Sequence, residues 1–400
     1  MARSPGTARP ARMAASTPTP PPPAGRREVA LLLQGGGALG AYQAGVFEAL
    51  AGSPWQPDWV AGISIGAINA AIIAGNAPGN RVAALRDFWE SVTGHPGQLR
   101  HKMGLTRFFP EPKEAGAVSA LLFGQPNFFE PRPAYAWLTS PLPESVYDTK
   151  VLKGTLERLI DFDLINDGPT RLSLGSVEVS TGNFAYFDNR PSHGRPATRI
   201  RAEHVMASGA LPPGFPSVEI DGKHYWDGGL VSNTPLQYVL DTDPNVDRLA
   251  FEVDVFPARG PVPTTLPEAL ERDKDIRYSS RTRAGVDGFK RLHDLRVAIG
   301  TLLDMLPEEA RETPDCQRLR RLACVSNIDV VELIYRPREP QGQSKDYAFG
   351  RETMHERWEA GLSDARDVLR LAPWKAPFPP GLGVRRSDPL NPREDERQDT

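Results

Sequence analysis

The ordered part of the sequence opens with short, continuous apolar runs that alternate with segments of helical spacing. Residues 29–33 are apolar without interruption and stop at glycines, which is typical of a strand buried on both faces. Residues 38–50 carry apolar side chains near every third or fourth position, which predicts a helix. A second apolar run at 59–63 leads into a second predicted helix that opens at Ser64. This β–α–β–α order predicts an α/β fold with a mostly parallel sheet flanked by helices.

The pattern changes in the second half of the chain. Residues 171–188 alternate around Thr181-Gly182, which predicts a hairpin, and 249–255 alternate as a later strand would. Helical spacing dominates beyond Pro267, before a strand predicted at 330–335. One predicted apolar stripe comprises Phe289, Leu292, Leu295, Ile299, Leu302 and Leu306. A final amphipathic helix has its apolar positions at Met354, Trp358, Leu362, Ala365 and Leu369. Its other face mixes acids and bases, so we expect it to pack on the protein rather than lie on a membrane.

Composition and charge exclude several classes of protein. The net charge of −3 lacks the basic excess of nucleic-acid-binding proteins, so we expect no nucleic-acid partner. The longest apolar stretch, 61–77, is interrupted by polar residues and falls short of the ~20 residues of a membrane span. Cys316 and Cys324 cannot form a disulfide framework, and nothing near them has zinc-ligand spacing. We therefore expect reduced cysteines, no metal site and a cytoplasmic location.

The strongest chemical signal is Gly62-Ile63-Ser64-Ile65-Gly66, a G-x-S-x-G between a predicted strand and a predicted helix. A serine on such a sharp turn projects its hydroxyl, and the flanking glycines avoid clashes with the neighbouring strand and helix. The helix N-terminus favours negative charge that develops nearby. The alternative interpretation is that Ser64 merely caps the helix.

A glycine run follows the first predicted strand and comprises Gly35, Gly36, Gly37 and Gly40. Consecutive glycines leave backbone N–H groups bare, which suits an oxyanion hole, and parallel strands would place this loop beside Ser64. The same glycines also spell G-x-G-x-x-G, the fingerprint of dinucleotide-dependent oxidoreductases. That function needs an acid at the end of the second strand, whereas Asp58 precedes the strand and Ser64 follows it.

A third motif, Asp227-Gly228-Gly229, supplies a carboxylate. Its small neighbours would let Asp227 approach another backbone closely and act as a base, although most Asp-Gly pairs are plain turns. The seven histidines lie in unrelated settings without a triad signature, and His224 is the least implausible helper among them.

Together the three motifs resemble those of the patatin-like phospholipases, which carry G-G-G-x-x-G, then G-x-S-x-G about thirty residues later, then D-G-G. The resemblance covers residues 28–257, and 268–370 resemble the extension of one bacterial branch. Further agreement comes from Gln34, Ala41-Tyr42, Gly45, the block from Ala207-Ser208 to Pro216, and Asn233-Thr234-Pro235. In the extension, the matching segments are Tyr278-Ser279-Ser280-Arg281 and the helix within 345–365.

The resemblance implies a serine acyl hydrolase of lipase, esterase or phospholipase type. It implies that Ser64 attacks the acyl carbon and that Asp227 is its base, without a histidine. The oxyanion hole would be formed by Gly35, Gly36 and Gly37. No cofactor or metal is implied, and the expected partner is an acyl-ester lipid at a membrane or lipid-droplet surface.

One departure from the family pattern bears on the substrate. Leu39 stands at the fifth position of the glycine motif, where the family usually has a basic residue, and this favours neutral acyl esters over phospholipids. A lipid-binding protein without turnover is a further alternative, and the oligomeric state is left open.

These observations divide the chain into four segments. Residues 1–27 form a proline-, alanine- and arginine-rich arm that we expect to be disordered, and whether it has a targeting role is left open. We predict a catalytic domain at 28–257, a mainly helical extension at 258–373 and a disordered tail at 374–400. Residues 95–145 are dense in proline, glycine and aromatics, which predicts a long excursion from the sheet.

Overall fold

The computed structural model describes residues 27–93, 120, 124–138, 140–243, 245–324, 326–337, 341–379 and 382–391, with the backbone alone at 280–287. The predicted arm and most of the segment 95–145 therefore lie outside the described residues. The strands are β1 Glu28–Leu33, β2 Trp59–Ile63, β3 Glu130–Pro131, β4 Tyr147–Asp148, β5 Arg171–Glu178, β6 Phe184–Asp188, β7 Val218–Ile220, β8 Lys223–Asp227, β9 Arg248–Asp254, β10 Ile328–Ile334 and β11 Val384–Ser387.

The helices surround these strands in chain order. They are α1 Gly40–Ala51, α2 Ile65–Ala74, α3 Arg81–Val92, α4 Lys150–Leu159, α5 Phe162–Asp167, α6 Ala202–Ser208, α7 Leu236–Asp241, α8 Leu266–Met305, α9 Glu308–Arg311, α10 Pro314–Arg320 and α11 Arg351–Leu371. Short 3-10 helices occur at Gly37–Leu39, Ala134–Leu138, Gly228–Leu230, Lys345–Tyr347 and Pro373–Lys375.

The central sheet has nine strands and is mostly parallel. Strands β11, β10, β9, β1, β2 and β5 follow one another across it in parallel, and β6, β7 and β8 complete it with antiparallel pairings. Alternate residues of β1 enter different hydrophobic clusters, with Leu31 on one face and Leu32 on the other. Burial on both faces explains the uninterrupted apolar run, and the predicted α/β fold is confirmed.

The long strand β5 brings two strand ends together on one of its edges. Strand β2 runs parallel to β5 and ends with Ile63 opposite Gly175. Strand β8 runs antiparallel and ends with Asp227 opposite Ser176. Because β6 occupies the other edge of β5 at Ser176, β8 must share the edge that β2 uses. The two carboxyl ends therefore meet head to head, and Ser64 directly follows one of them.

The final amphipathic helix, α11, packs along α1, as its mixed polar face predicts. Side chains added at Gly45 of α1 or Gly361 of α11 would overlap the backbone of the other helix, so the two helices touch at these glycines. The Nε1–H of Trp358 donates to a Glu48 carboxylate oxygen at 2.6 Å. This contact joins the C-terminal part of the chain to the first helix of the sheet domain.

Two expectations about the C-terminal part are wrong. The predicted stripe on α8 does not face the core, because Leu292, Leu295 and Leu302 are exposed. The buried positions of that helix segment are Phe289, His293, Gly300 and Leu303. The tail expected to be disordered from residue 374 includes β11, which pairs in parallel with β10, and only 392–400 lie outside the described residues. The extension is thus helical in the main, but it also contributes β10 and β11 to the central sheet.

In the part of the chain that the structure describes, no helix combines the length and the apolar character needed to cross a membrane.

Candidate active site

Ser64 lies on a strained turn between β2 and α2. Its backbone has φ 58° and ψ −125°, a conformation that side-chain-bearing residues rarely adopt and that clusters at functional sites. The turn is held by Ser208, whose carbonyl and hydroxyl oxygens both accept from the Ser64 N–H at 3.1 Å. The Ser64 side chain makes no capping hydrogen bond to α2, so the interpretation of Ser64 as a plain helix cap is wrong.

The glycines of the serine motif permit close backbone packing. A side chain at Gly62 would overlap the carbonyl of Gly66, and one at Gly66 would overlap the carbonyl of Leu33 in β1. The turn is therefore wedged between its own helix and the neighbouring strand. Only glycine fits at these two positions without moving the backbone.

The glycine loop lies beside Ser64, as expected from the parallel pairing of β1 with β2. A Cβ atom placed on Gly35 would lie 3.0 Å from the Cβ atom of Ser64. The Gly35 N–H, however, donates to the Asn233 carbonyl oxygen at 3.0 Å. Within the described residues, no hydrogen bond engages the N–H of Gly36 or Gly37. The predicted oxyanion hole therefore contracts from three glycines to two.

Gln34 and Asn233 hold this loop in position. The Gln34 amide oxygen accepts from the N–H groups of Val255 and Phe256 at 2.7 and 3.0 Å. The Asn233 Nδ2 donates to the Gly35 carbonyl at 3.0 Å. Both side chains are buried, so each supplies bonds that the glycine loop cannot make for itself. Sequence reasoning quoted these residues only as family text and assigned them no role.

Asp227 is buried at the carboxyl end of β8 and contacts Ser64. The Ser64 hydroxyl donates to the carboxylate, and the Gly229 N–H donates to its Oδ1 at 2.7 Å. Burial raises the pKa of Asp227 to about 7, although these two hydrogen bonds oppose the rise. A side chain at Gly228 would come within 2.7 Å of the Gly175 carbonyl oxygen, which explains the small residue after the aspartate. The structure thus brings together Ser64 and the D-G-G motif.

A cavity of about 320 Å³ opens over Ser64 and Asp227. Its wall is mainly apolar and aromatic, and an aromatic cluster at one side comprises Phe128, Phe129, Tyr147, Phe215 and Phe349. The cavity is therefore suited to an apolar chain that ends at the serine hydroxyl.

The C-terminal extension supplies part of the cavity wall, which sequence reasoning missed. Tyr278, Asp346, Tyr347 and Phe349 all line it. A side chain at Gly37, whose φ is 54°, would overlap the carbonyl of Asp346, so the Lys345–Tyr347 turn lies directly on the glycine loop. The signal available in the sequence was the family resemblance of 278–281, but nothing local to those residues indicates contact with a loop more than two hundred positions away.

Among the residues that the structure describes, no histidine lines the cavity. His224 is exposed and its Nδ1 lies 3.1 Å from the Ser217 hydroxyl. It is three positions before Asp227 on β8, so it points to the other face of the sheet. His204 and His293 are buried elsewhere, and His95 and His101 lie outside the described residues.

The dinucleotide interpretation fails at the second strand. A ribose would need an acid at the carboxyl end of β2, where the chain has Ser64. Asp58 lies at the opposite end, and its Oδ2 accepts from the Val29 N–H at 3.0 Å.

Comparison with family models identifies the chain. The model described as patatin-like phospholipase matches residues 31–240, more than half of the sequence. The chain belongs to the patatin-like phospholipase family. A second model, described as patatin phospholipase, matches residues 276–381 of this family member. The two matches cover both the motif-bearing strands and the extension that lines the cavity.

Solved structures with similarity to this patatin-like chain have low sequence identity. VipD from Legionella pneumophila is 15% identical with a TM-score of 0.34, and the match covers 86% of this chain and 67% of VipD. Human GIVD cytosolic phospholipase A2 in complex with a methyl gamma-linolenyl fluorophosphonate inhibitor is 15% identical with a TM-score of 0.27, covering 56% of this chain and 40% of that one. ExoU–SpcU from Pseudomonas aeruginosa gives 15% and 0.23, covering 73% and 58%. No curated protein gave a match.

Proposed function

We propose that this protein is a serine acyl hydrolase that cleaves carboxylic esters of lipids with a Ser64–Asp227 dyad. The observation that carries the proposal is the hydrogen bond from the Ser64 hydroxyl to the buried Asp227 carboxylate at the floor of an apolar cavity. Membership of the patatin-like phospholipase family supports a lipid ester as the substrate. No histidine is needed in this proposal, because the raised pKa of Asp227 makes it a stronger base than an ordinary aspartate.

In the proposed first half-reaction, the Ser64 oxygen attacks the acyl carbon and its proton passes to Asp227. The carbonyl oxygen becomes negatively charged and accepts from the N–H groups of Gly36 and Gly37. The tetrahedral intermediate then collapses, the ester C–O bond breaks, and the alcohol leaves with the proton from Asp227. The product is an acyl group on Ser64.

In the second half-reaction, water attacks the acyl-enzyme and gives a proton to Asp227. Collapse of the second tetrahedral intermediate releases the carboxylic acid and returns the proton to the Ser64 oxygen. One carboxylate thus serves as base and then as acid in each half-reaction, which suits a pKa of about 7.

The position of Leu39 favours neutral esters in this proposal. The side chain is fully buried, so the site that usually carries a basic residue in the family offers no cation to a headgroup. We therefore propose uncharged acyl esters as the preferred class. Comparing kcat/KM for a diacylglycerol with that for a phosphatidylcholine of the same chains tests this preference.

The function is tested by labelling the purified protein with a fluorophosphonate and by assaying p-nitrophenyl esters of graded chain length. We expect one stoichiometric label and ester turnover, both lost in Ser64→Ala. Vesicle binding without turnover in the parent protein would instead support the non-catalytic lipid-binding alternative.

A further inference from the structure

The segment that joins β3 to β4 exposes large apolar side chains to solvent. We call residues 132–138 and 140–146 the entrance loop. Tyr135 is 71% exposed, Leu138 89% and Leu142 65%. The short helix Ala134–Leu138 has no buried residue at all. Soluble proteins rarely expose such groups together unless they contact a partner.

The base of the entrance loop is fixed to the wall of the cavity. The N–H of Val146 donates to the Pro213 carbonyl at 3.0 Å, and that of Tyr147 to the Gly214 carbonyl at 2.9 Å. All four of these residues line the cavity, and Val146 is also 41% exposed. The apolar surface of the loop therefore continues into the cavity at Val146.

The composition of the loop indicates the chemistry of its partner. Exposed tyrosine and tryptophan, here Tyr135 and Trp137, suit the boundary between water and lipid because each ring has an apolar body and a polar tip. Between 130 and 148 the charged residues are one arginine and three acids, Arg132, Glu130, Glu144 and Asp148. Arg132 is already paired with Asp148 at 3.8 Å. This charge balance disfavours an anionic surface and fits an electrically neutral one.

We propose that the entrance loop docks on a zwitterionic lipid surface and that the acyl ester enters the cavity from that surface past Val146. The proposal rests on the proposed function for the nature of the substrate. It rests on the exposure of the loop and its continuity with the cavity for the position of the docking surface.

A second exposed apolar patch provides a matched control. Leu302 and Met305, near the end of α8, are 64% and 75% exposed but do not line the cavity. Replacing two exposed apolar residues by serine at either place removes similar apolar area. Only the change in the entrance loop should affect docking.

The test measures co-flotation of the full-length protein with phosphatidylcholine vesicles that carry a fluorogenic neutral acyl ester. We expect the double variant Trp137→Ser, Leu138→Ser to lower the vesicle partition coefficient by about tenfold or more, since two large apolar side chains leave the lipid. Leu302→Ser, Met305→Ser should partition like the parent. Hydrolysis of a water-soluble short-chain ester should be the same in all three proteins, whereas hydrolysis of the vesicle-borne ester should fall only in the loop variant.

The outcomes separate this proposal from the proposed function. Vesicle binding by Ser64→Ala equal to that of the parent supports docking independently of catalysis. Turnover of the soluble ester without any vesicle binding overturns docking and leaves the hydrolase intact, while binding without turnover of either ester does the reverse. Loss of self-association in the loop variant, with vesicle binding unchanged, would assign the surface to a second copy of the chain and overturn the proposal.

Discussion

Two buried aspartates lie on opposite sides of the glycine loop and have different surroundings. Asp227, from the motif-bearing strands, is 2% exposed and its carboxylate accepts from a serine hydroxyl and a backbone N–H. Asp275, from α8 in the extension, is 6% exposed and accepts from the Lys345 ammonium at 2.5 Å. Glu271 lies 3.3 Å from the same ammonium.

The difference separates a functional from a structural carboxylate. Burial raises the pKa of both aspartates, but Lys345 opposes the rise for Asp275, whereas only neutral donors oppose it for Asp227. A buried carboxylate without a cation is costly, and in a cavity it is also basic. The extension, by contrast, uses its buried charges in pairs, and the Lys345 pair fixes the turn that covers Gly37.

The largest expected effect is the loss of activity in Asp227→Asn. Asparagine keeps the shape and can still bond to Ser64, but it cannot take the proton. We expect kcat/KM for a soluble ester to fall by at least about 10³-fold, with Ser64→Ala, Asp227→Asn little worse than either single variant, because the two residues act as one unit. The exposed Asp221→Asn serves as control and should keep parental activity. Activity of Asp227→Asn above a tenth of the parent value would mean that another base operates.

The next effect tests the structural aspartate through its partner. Lys345→Met leaves the buried carboxylates of Asp275 and Glu271 without their cation, so we expect the free energy of unfolding to fall by ~3–5 kcal/mol at neutral pH. Denaturant unfolding measures this loss. Lys150→Met, which removes an exposed lysine 3.6 Å from Asp148, should change stability by less than ~1 kcal/mol. Equal effects of the two variants would show that the Lys345 pair does not stabilise the fold.

The same comparison marks what the sequence could predict. Ser64, the glycine loop and Asp227 were predictable because their chemistry depends on strand ends and on glycines, both of which leave local patterns. The occupied N–H of Gly35 was not, since it depends on Asn233, which is 198 positions away in the chain. The same holds for Tyr278, Asp346 and Tyr347, whose places in the cavity depend on how the extension packs.

The C-terminal errors have a related cause. The predicted stripe on α8 follows a regular apolar spacing, yet the structure buries the neighbouring face with His293 and Gly300 and leaves Leu292 and Leu295 exposed. Strand β11 is short, with two arginines that pair with Asp329 and Glu332 of β10, so its sequence has no apolar strand pattern. Tertiary ion pairs determine this strand, and periodicity does not report them.

A third prediction concerns the stability cost of the functional carboxylate. The pKa of Asp227 is about 7 in the folded protein and near the ordinary ~3.9 when unfolded, so the folded state binds the proton more tightly. Stability contributed by this group is complete below about pH 4 and is lost as the pH rises to about 7. Asp227→Asn escapes this loss and should be more stable than the parent by up to ~4 kcal/mol at pH 8, and by less at pH 5. Guanidinium unfolding at the two pH values measures the difference, and a variant less stable than the parent at pH 8 would contradict the assigned pKa.

The smallest effect is the pH dependence of the reaction itself. Only the carboxylate form of Asp227 can accept the serine proton, so kcat/KM for a soluble ester should fall about tenfold per pH unit below a midpoint near the folded pKa of about 7. Above that pH it should reach a plateau, because no group that must stay protonated has been assigned. The soluble ester matters here, since it removes any pH dependence of lipid docking from the measurement. Asp275→Asn is the control: its carboxylate is equally buried but lies behind the Lys345 turn, so the midpoint should stay where it is in the parent even if the protein is less stable. A midpoint near 4 in the parent would mean that Asp227 titrates as an ordinary aspartate, and burial would then no longer explain how a serine can be activated without histidine.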